Sequence, residues 1–581
     1  MSHVDEHTLR FKLHRPAMLA ILVPLLLAGV CARCRLPGVA EARGDSRTPI
    51  EPSHESARAN AFHVFNAVHS AGRQWGSSLN HNGFGFLPAV MPRGTLLYHG
   101  GRQDQPPPGP EWLALEVEHA EMFSMSWKQQ SGRFSSPRAG GGPGESGPGA
   151  QRPLTRSEGE DGGGNSRGYF HTYRANRDLN LLYVDGMAAA KSTFGTLDSQ
   201  DLLLRENKTG SWDDYMDEWE RAASICSMVT AWGFDGFMRV EIGFEVIYCD
   251  FSSGIDLASV TRASMPEGRM GTGAMLIYQL ARAATRGYDG LAERLRLDFS
   301  GMVSGFFFPI NISNTDPARP DLIRLGAAGV DELGDIKGYL HDVCLRPRRF
   351  TVGWQGIVDS IVSRFAGRLA LMASETVSTD NFIDELEKVA LTYLDAPSLP
   401  GDIDTESEGG SSGAVDRCTE HYLLPAHLVR DDWSAEDGLI HTAIETVTRD
   451  ICHSLFGVRS SLLALFPDLP PKTHRISKTG VGSELERTIN DGRQVLQRLM
   501  ERLAWTEWKK IRRCPVDEVL FVSMYPFGTD EDHWSPGCRK IEEMGFFRFG
   551  YWDLDYFLPG PGIDTRPTLF AADWTAATKV T

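Results

Sequence analysis

Near the middle of the chain a carboxylate stands inside an apolar run. It is Glu245, in AWGFDGFMRVEIGFEVIYCDF, residues Ala231–Phe251. Two apolar segments flank a tight EIGFE turn, which reads as a pair of strands. A carboxylate in such a strand is costly unless it is hydrogen-bonded or opens on a cleft. Alternation sets Glu245, Ile247 and Cys249 on one face, and Val246, Tyr248 and Asp250 on the other. Neither face is wholly apolar, so an edge strand with a solvated Glu245 is the plain structural alternative. Two further segments carry candidate groups. GTLLYHGG reads as a short buried strand that places His99 at its end, before Gly100, where backbone can approach a ligand closely. PEWLALEVEHAEMFS sets Trp112 on a strand that leads into a helix.

Other reactive groupings are poorer. Cys418, His421, Cys452 and His453 offer four soft ligands in two pairs, but the spacing is loose and a Cys418–Cys452 disulfide is the favoured reading. Asp530–His533 follows Gly528 and reads as a solvated charged loop. No GxGxxG follows a strand, which argues against a Rossmann site. No metal site is predicted.

The elements that would position these groups fall into two halves. YFHTYRA and LNLLYVD read as strands, and SWDDYMDEWERAASICSMVTAWG as a helix. Residues 60–265 therefore read as one α+β unit, interrupted by a Gly-, Ser- and Pro-rich insertion over 129–168 that is too polar to order. Residues 266–545 read as a mainly helical domain. In WQGIVDSIVSRFAGRLALMAS, Ile357, Ile361, Phe365 and Leu369 recur every four residues as one apolar stripe. DTESEGGSSGAVD, residues 404–416, reads as a linker, and DEVLFVSMYPFG as a strand that breaks at Pro526. Residues 36–59 read as an irregular linker and 546–581 as a tail.

The order of these motifs resembles the ADP-ribosyltransferase fold, in the branch marked by a histidine, an aromatic and a glutamate. LLYHG, EWLAL with EHAEMF, and GFDG followed by GFEVIYCDF carry the resemblance over about residues 90–255. The middle position departs from that branch, which usually has tyrosine where Trp112 stands here. The fold so implied is α+β: an ADP-ribosyltransferase-like split sheet followed by a mainly α-helical C-terminal domain. The resemblance implies NAD as substrate, with His99, Gly100 and Trp112 as cofactor-binding residues, His99 at the other ribose and Trp112 over the nicotinamide ring. Glu245 would stabilise the oxocarbenium-like transition state as the nicotinamide–ribose bond breaks. The acceptor it leaves open: a protein side chain, a nucleic-acid end or water. The competing expectation is a non-catalytic binding or interaction protein on a degenerate version of the same fold. Through RQWGSSLNHNG, LLYVDG and DEVLFVSMYPFG the whole chain also resembles a group of large fungal proteins, secreted or membrane-tethered and of unknown role.

Composition sets the outer limits. The chain has 581 residues, a net charge of −17 and no large basic block, which argues against a broad nucleic-acid-binding face. Arg10, Lys12 and Arg15 precede the apolar run at 16–32, short of the roughly 20 residues that span a bilayer. That pattern predicts a signal peptide or signal anchor over residues 1–35, and hence a secreted or membrane-anchored chain. The sequons at Asn207 and Asn311 fit the same route. Seven of the nine cysteines lie beyond that segment, so at least one stays unpaired if the others form bridges.

Overall fold

A computed structural model of the chain describes residues 47–124, 168–192, 194–206, 217–263, 273–314, 322–394, 410–467, 481–511, 513–544 and 550–552. The apolar run at 16–32 and the insertion at 129–167 lie outside them. Pro49–Thr581 forms one compact unit.

A ten-stranded sheet organises this unit. The strands are β1 (Gly85–Met91), β2 (Leu96–Gly101), β3 (Glu111–Ala114), β4 (Tyr169–Ala175), β5 (Leu179–Val184), β6 (Gly236–Glu241), β7 (Gly243–Tyr248), β8 (Ile255–Arg262), β9 (Arg296–Leu297) and β10 (Val303–Ser304). Their order is β10-β1-β5-β6-β7-β3-β2-β4-β8, with β9 also on β1. Only β5 and β6 run parallel, and helix α5 (Glu218–Ala231) lies on the crossover between them. The first helices are α1 (His54–Ala59), α2 (Ala61–Ser70), α3 (Gln74–Leu79) and α4 (Val117–Ser124).

The C-terminal region is helical, as the apolar periodicity predicts. It holds α6 (Gly273–Thr285), α7 (Val330–Cys344), α8 (Trp354–Ala373), α9 (Thr379–Ala390), α10 (Gly410–His421), α11 (Ala435–Leu465) and α12 (Val481–Leu503). In α8 the stripe Ile357, Ile361, Phe365 and Leu369 is buried. Ser434 caps α11 by accepting from the Asp437 amide, and Asp437 in turn accepts from Trp354 Nε1 at 2.8 Å and Ser300 Oγ at 3.0 Å. One carboxylate thus ties a helix start to α8 and to the segment after β9.

Several boundaries differ from those expected. The division at residue 265 separates no two bodies, because β9 and β10 complete the sheet against β1. Helix begins at His54, inside the expected linker, where Ser53 accepts from the Ser56 amide. Part of the 404–416 linker is the start of α10. Tyr551 and Trp552, assigned to the tail, are buried, and Tyr551 hydroxyl meets His81 Nε2 at 2.6 Å. The anchor also needs correction: among the described residues no helix is long and apolar enough to cross a membrane.

Disulfides join Cys226–Cys249, Cys418–Cys452 and Cys514–Cys538, and Cys344 is free and buried. The odd thiol and the Cys418–Cys452 pair are as expected. Cys418–Cys452 staples α10 to α11 and closes a loop of sequence separation 34. Replacing both cysteines with alanine should lower unfolding stability by about 2–4 kcal/mol, read from urea denaturation, because the unfolded chain regains that loop's freedom. Unchanged stability would mean that burial alone holds the two helices together.

Candidate functional site

Strand β7 is not an edge. It lies between β6 and β3, and Glu245 stands opposite both Arg239 and Ala114. Alternation along the β6–β7 hairpin puts Arg239, Glu241, Gly243 and Glu245 on one face. The turn between them is tight. Gly243 has φ +102°, a conformation L side chains rarely adopt. The buried amide of Gln74 clasps the turn from α3: Oε1 accepts from the Gly243 amide at 2.8 Å, and Nε2 donates to the Glu241 carbonyl at 2.8 Å.

That face carries a buried ionic network. Arg239 Nε donates to Glu245 Oε1 at 2.5 Å, Nη1 to Gln200 Oε1 at 3.1 Å, and Nη2 to Glu218. Arg221 donates to Glu218 and, through Nε and Nη2, to both oxygens of Asp201 at 2.8 Å. Arg205 and Lys191 complete it, 3.3 Å from Asp201 and 3.6 Å from Glu218. The helix start explains how Glu218 reaches the sheet: Asp217 caps α5 by accepting from the Trp219 and Glu220 amides at 3.0 Å. Burial opposes the charge on Glu218, but Arg239, Lys191 and Arg221 outweigh it and hold its carboxyl far below the usual carboxylate range. Glu241 has the opposite fate. Burial, with the charges of Glu245 and Glu218, pushes it up to about 8 against the pull of Lys191 and Arg239.

The other expected site residues separate. Trp112 shares the face of Glu245, and its ring meets Trp219 of α5 edge-on at 4.7 Å between centroids. Gly100 also faces that side, but the neighbour there is helix: a Cβ on Gly100 would lie 2.1 Å from the Ala120 carbonyl of α4. The glycine is needed for packing α4, and no ligand space remains above it. His99 goes to the other face. Tyr98, Ala114 and Glu245 form one cross-strand row, so His99, one residue on, projects oppositely. There its ring lies 5.5 Å from His171 and 6.4 Å from Phe251, and Nδ1 donates to the Trp112 carbonyl at 3.0 Å. Burial pushes its pKa down to about 4, although that hydrogen bond works the other way. His99 and Glu245 therefore share no cleft. Two concavities lie elsewhere, about 250 Å³ between Asp298, Arg346, Arg348 and Trp433, and about 640 Å³ beside Asp359 and Arg364; none of His99, Trp112 and Glu245 lines either.

Sequence reasoning missed Arg239, Glu241, Glu218 and His119. His119 of α4 is 4% exposed and lies against the hairpin, its Nδ1 3.2 Å from where a Cβ on Gly243 would be. For Arg239 and Glu241 a signal existed: two charges two residues apart in one strand share a face, and the Glu241–Gly243 pairing of the turn brings Glu245 onto it. No local signal points to Glu218 or His119, which reach the site only through packing.

Two outcomes follow from this geometry. Arg239→Met leaves Glu218 and Glu245 buried without their shared partner and should cost about 3–5 kcal/mol in urea denaturation, part of it recovered by adding Glu245→Gln. For His99, the unfolded chain takes up a proton near pH 6.5 and the folded chain only near pH 4, so its contribution is complete above pH 6.5 and is lost as pH falls through that window. His99→Asn keeps a donor for the Trp112 carbonyl and should flatten the fall of stability between those two values by up to one proton, about 1.4 kcal/mol per pH unit. Equal slopes for variant and wild type would show that His99 is not buried as a neutral ring.

Residues 54–273, from α1 to the start of α6, match the family model described as the YPL277C N-terminal domain. The chain is similar to uncharacterized protein YOR389W of Saccharomyces cerevisiae, 26% identical over 566 residues that cover 85% of this chain and 84% of that protein. It is also similar to uncharacterized protein YPL277C of the same organism, 37% identical over 222 residues, 36% of this chain and 45% of that protein. No solved structure matches.

Proposed function

We propose that the chain acts by binding, with no turnover of NAD, on an α+β sheet that carries the motif order of the ADP-ribosyltransferases without their shared cleft. The observation that carries this reading is the place of Glu245. A carboxylate that stabilises a developing sugar cation must reach that sugar, in a cleft that also holds the dinucleotide. Glu245 is 6% exposed, its charge is already opposed by Arg239, and α4 and α5 lie on its face. His99, which would hold the other ribose, is across the sheet.

The test is nicotinamide release from NAD by the purified full chain, with a cooperative thermal melt as proof of folding. Folded protein should release no nicotinamide above the buffer rate and give no heat with NAD in calorimetry. Measurable release by the wild type would overturn the binding reading. A fall of about 100- to 1000-fold on Glu245→Gln would then return the catalytic role to that carboxylate.

A further inference from the structure

We propose that His119, Glu241 and Glu245 form a binding site for one divalent transition-metal ion of the zinc class. The proposal deepens the binding reading by naming a ligand, and rests on it only in assigning the ion no turnover. A ring nitrogen of His119 and one carboxylate oxygen from each glutamate lie within 4.8 Å of one another. Donors around a four-coordinate zinc ion, each about 2.0–2.1 Å from the metal, stand roughly 3.3 Å apart. Small rotations of two glutamate side chains cover that difference.

Three features distinguish this cluster from an ordinary acidic patch. First, Nδ1 of His119 is buried with no hydrogen-bond partner. A buried polar atom left unpaired carries its full desolvation penalty, and a metal ion removes it. Second, the space in front of that nitrogen is kept open by Gly243. A side chain there would crowd Nδ1 at 3.2 Å and would strain a backbone at φ +102°. Gly243 also lies between Glu241 and Glu245 in the hairpin, so the open space, the imidazole and both carboxylates converge. Third, Arg239 bonds only Oε1 of Glu245, which leaves the second oxygen for an ion. A guanidinium in that position orients a ligand as outer partners in metal sites do.

The donor set selects the class of ion. Calcium and magnesium demand six or more oxygens, or several waters held by carboxylates, and an imidazole serves neither. One imidazole with two carboxylates suits a borderline ion such as Zn²⁺, with the fourth position left to water. Arg239 and Lys191 lower the net negative charge, and Glu218 offsets part of that effect.

The experiment uses the tag-free full chain, stripped with a chelator and titrated with Zn²⁺ against a chromophoric indicator. One ion per chain is expected, and a tenfold excess of Mg²⁺ should not displace it. His119→Ala and Glu241→Gln should each weaken binding by more than about 100-fold, since even outer partners of metal ligands are worth 10- to 100-fold. Thermal melts establish that each variant is folded. Substitution with Co²⁺ should give tetrahedral absorption bands that vanish in His119→Ala. Three results would overturn the site: no stoichiometric binding by folded wild type, equal affinity in the two variants, or loss of the ion only in His441→Ala. That last variant breaks a separate close imidazole pair, His427 Nε2 to His441 Nε2 at 2.9 Å. Zinc binding and nicotinamide release are scored independently, so a chain that binds zinc and cleaves NAD would overturn the binding reading and leave this site standing.

Discussion

The pairing of Arg239 with Glu245 across two central strands constrains much of the structure around it. Both side chains project from strands buried on both faces, where an isolated charge would cost several kcal/mol. The guanidinium has more donors than Glu245 can accept, so a second carboxylate must come from outside the sheet. It comes from Glu218 at the first turn of α5, and the demand propagates through Arg221 to Asp201. Charge complementarity thus fixes where α5 meets the sheet, in addition to the packing of its apolar residues. It also fixes register. A slip of one residue would move the charged row into the apolar row of Met238, Val240 and Val246.

The same face shows why α4 lies where it does. Gly100 lets the backbone of α4 approach β2 closely, and that approach brings His119 over the hairpin turn. Gln74 closes the turn from the other direction, so a helix near the N-terminus helps hold the geometry of residues far along the chain. Ties of this kind are spread through the unit. Asn66 donates to the Leu503 carbonyl at the end of α12, and Trp75 to the Thr506 carbonyl at 3.1 Å. They explain why no boundary falls at residue 265.

Local pattern made several elements legible. Period-two segments gave β4, β5 and the β6–β7 hairpin, and period-four stripes gave α8 and its helical neighbours. Strand β1 was not legible. Pro88 sits in its middle and its flanks are glycine-rich, although it pairs along its length with β5. The 404–416 segment reads as a linker because glycine and serine open α10, a start that its propensities oppose. Within β6, the shared face of Arg239 and Glu241 was readable from numbering alone, and Glu245 joins it through the Glu241–Gly243 pairing of the turn. Between β2 and β3 it was not: residues 102–110 join them, and the register that sets Tyr98 against Ala114 depends on how that loop closes.

That parity is what separates a motif order from a site. A histidine, an aromatic and a glutamate on three strands converge only if each strand presents the right one of two faces. With two faces per strand, correct order alone leaves the relative orientation of three residues undetermined. Here Trp112 and Glu245 agree and His99 does not, a difference of one residue in register. The consequence is chemical as well as geometric. With His99 across the sheet, the groups that meet Glu245 among the described residues are Arg239, Glu241 and His119. In that constellation Arg239 opposes the charge of Glu245 in the ground state, while the buried Nδ1 of His119 beside it has no partner.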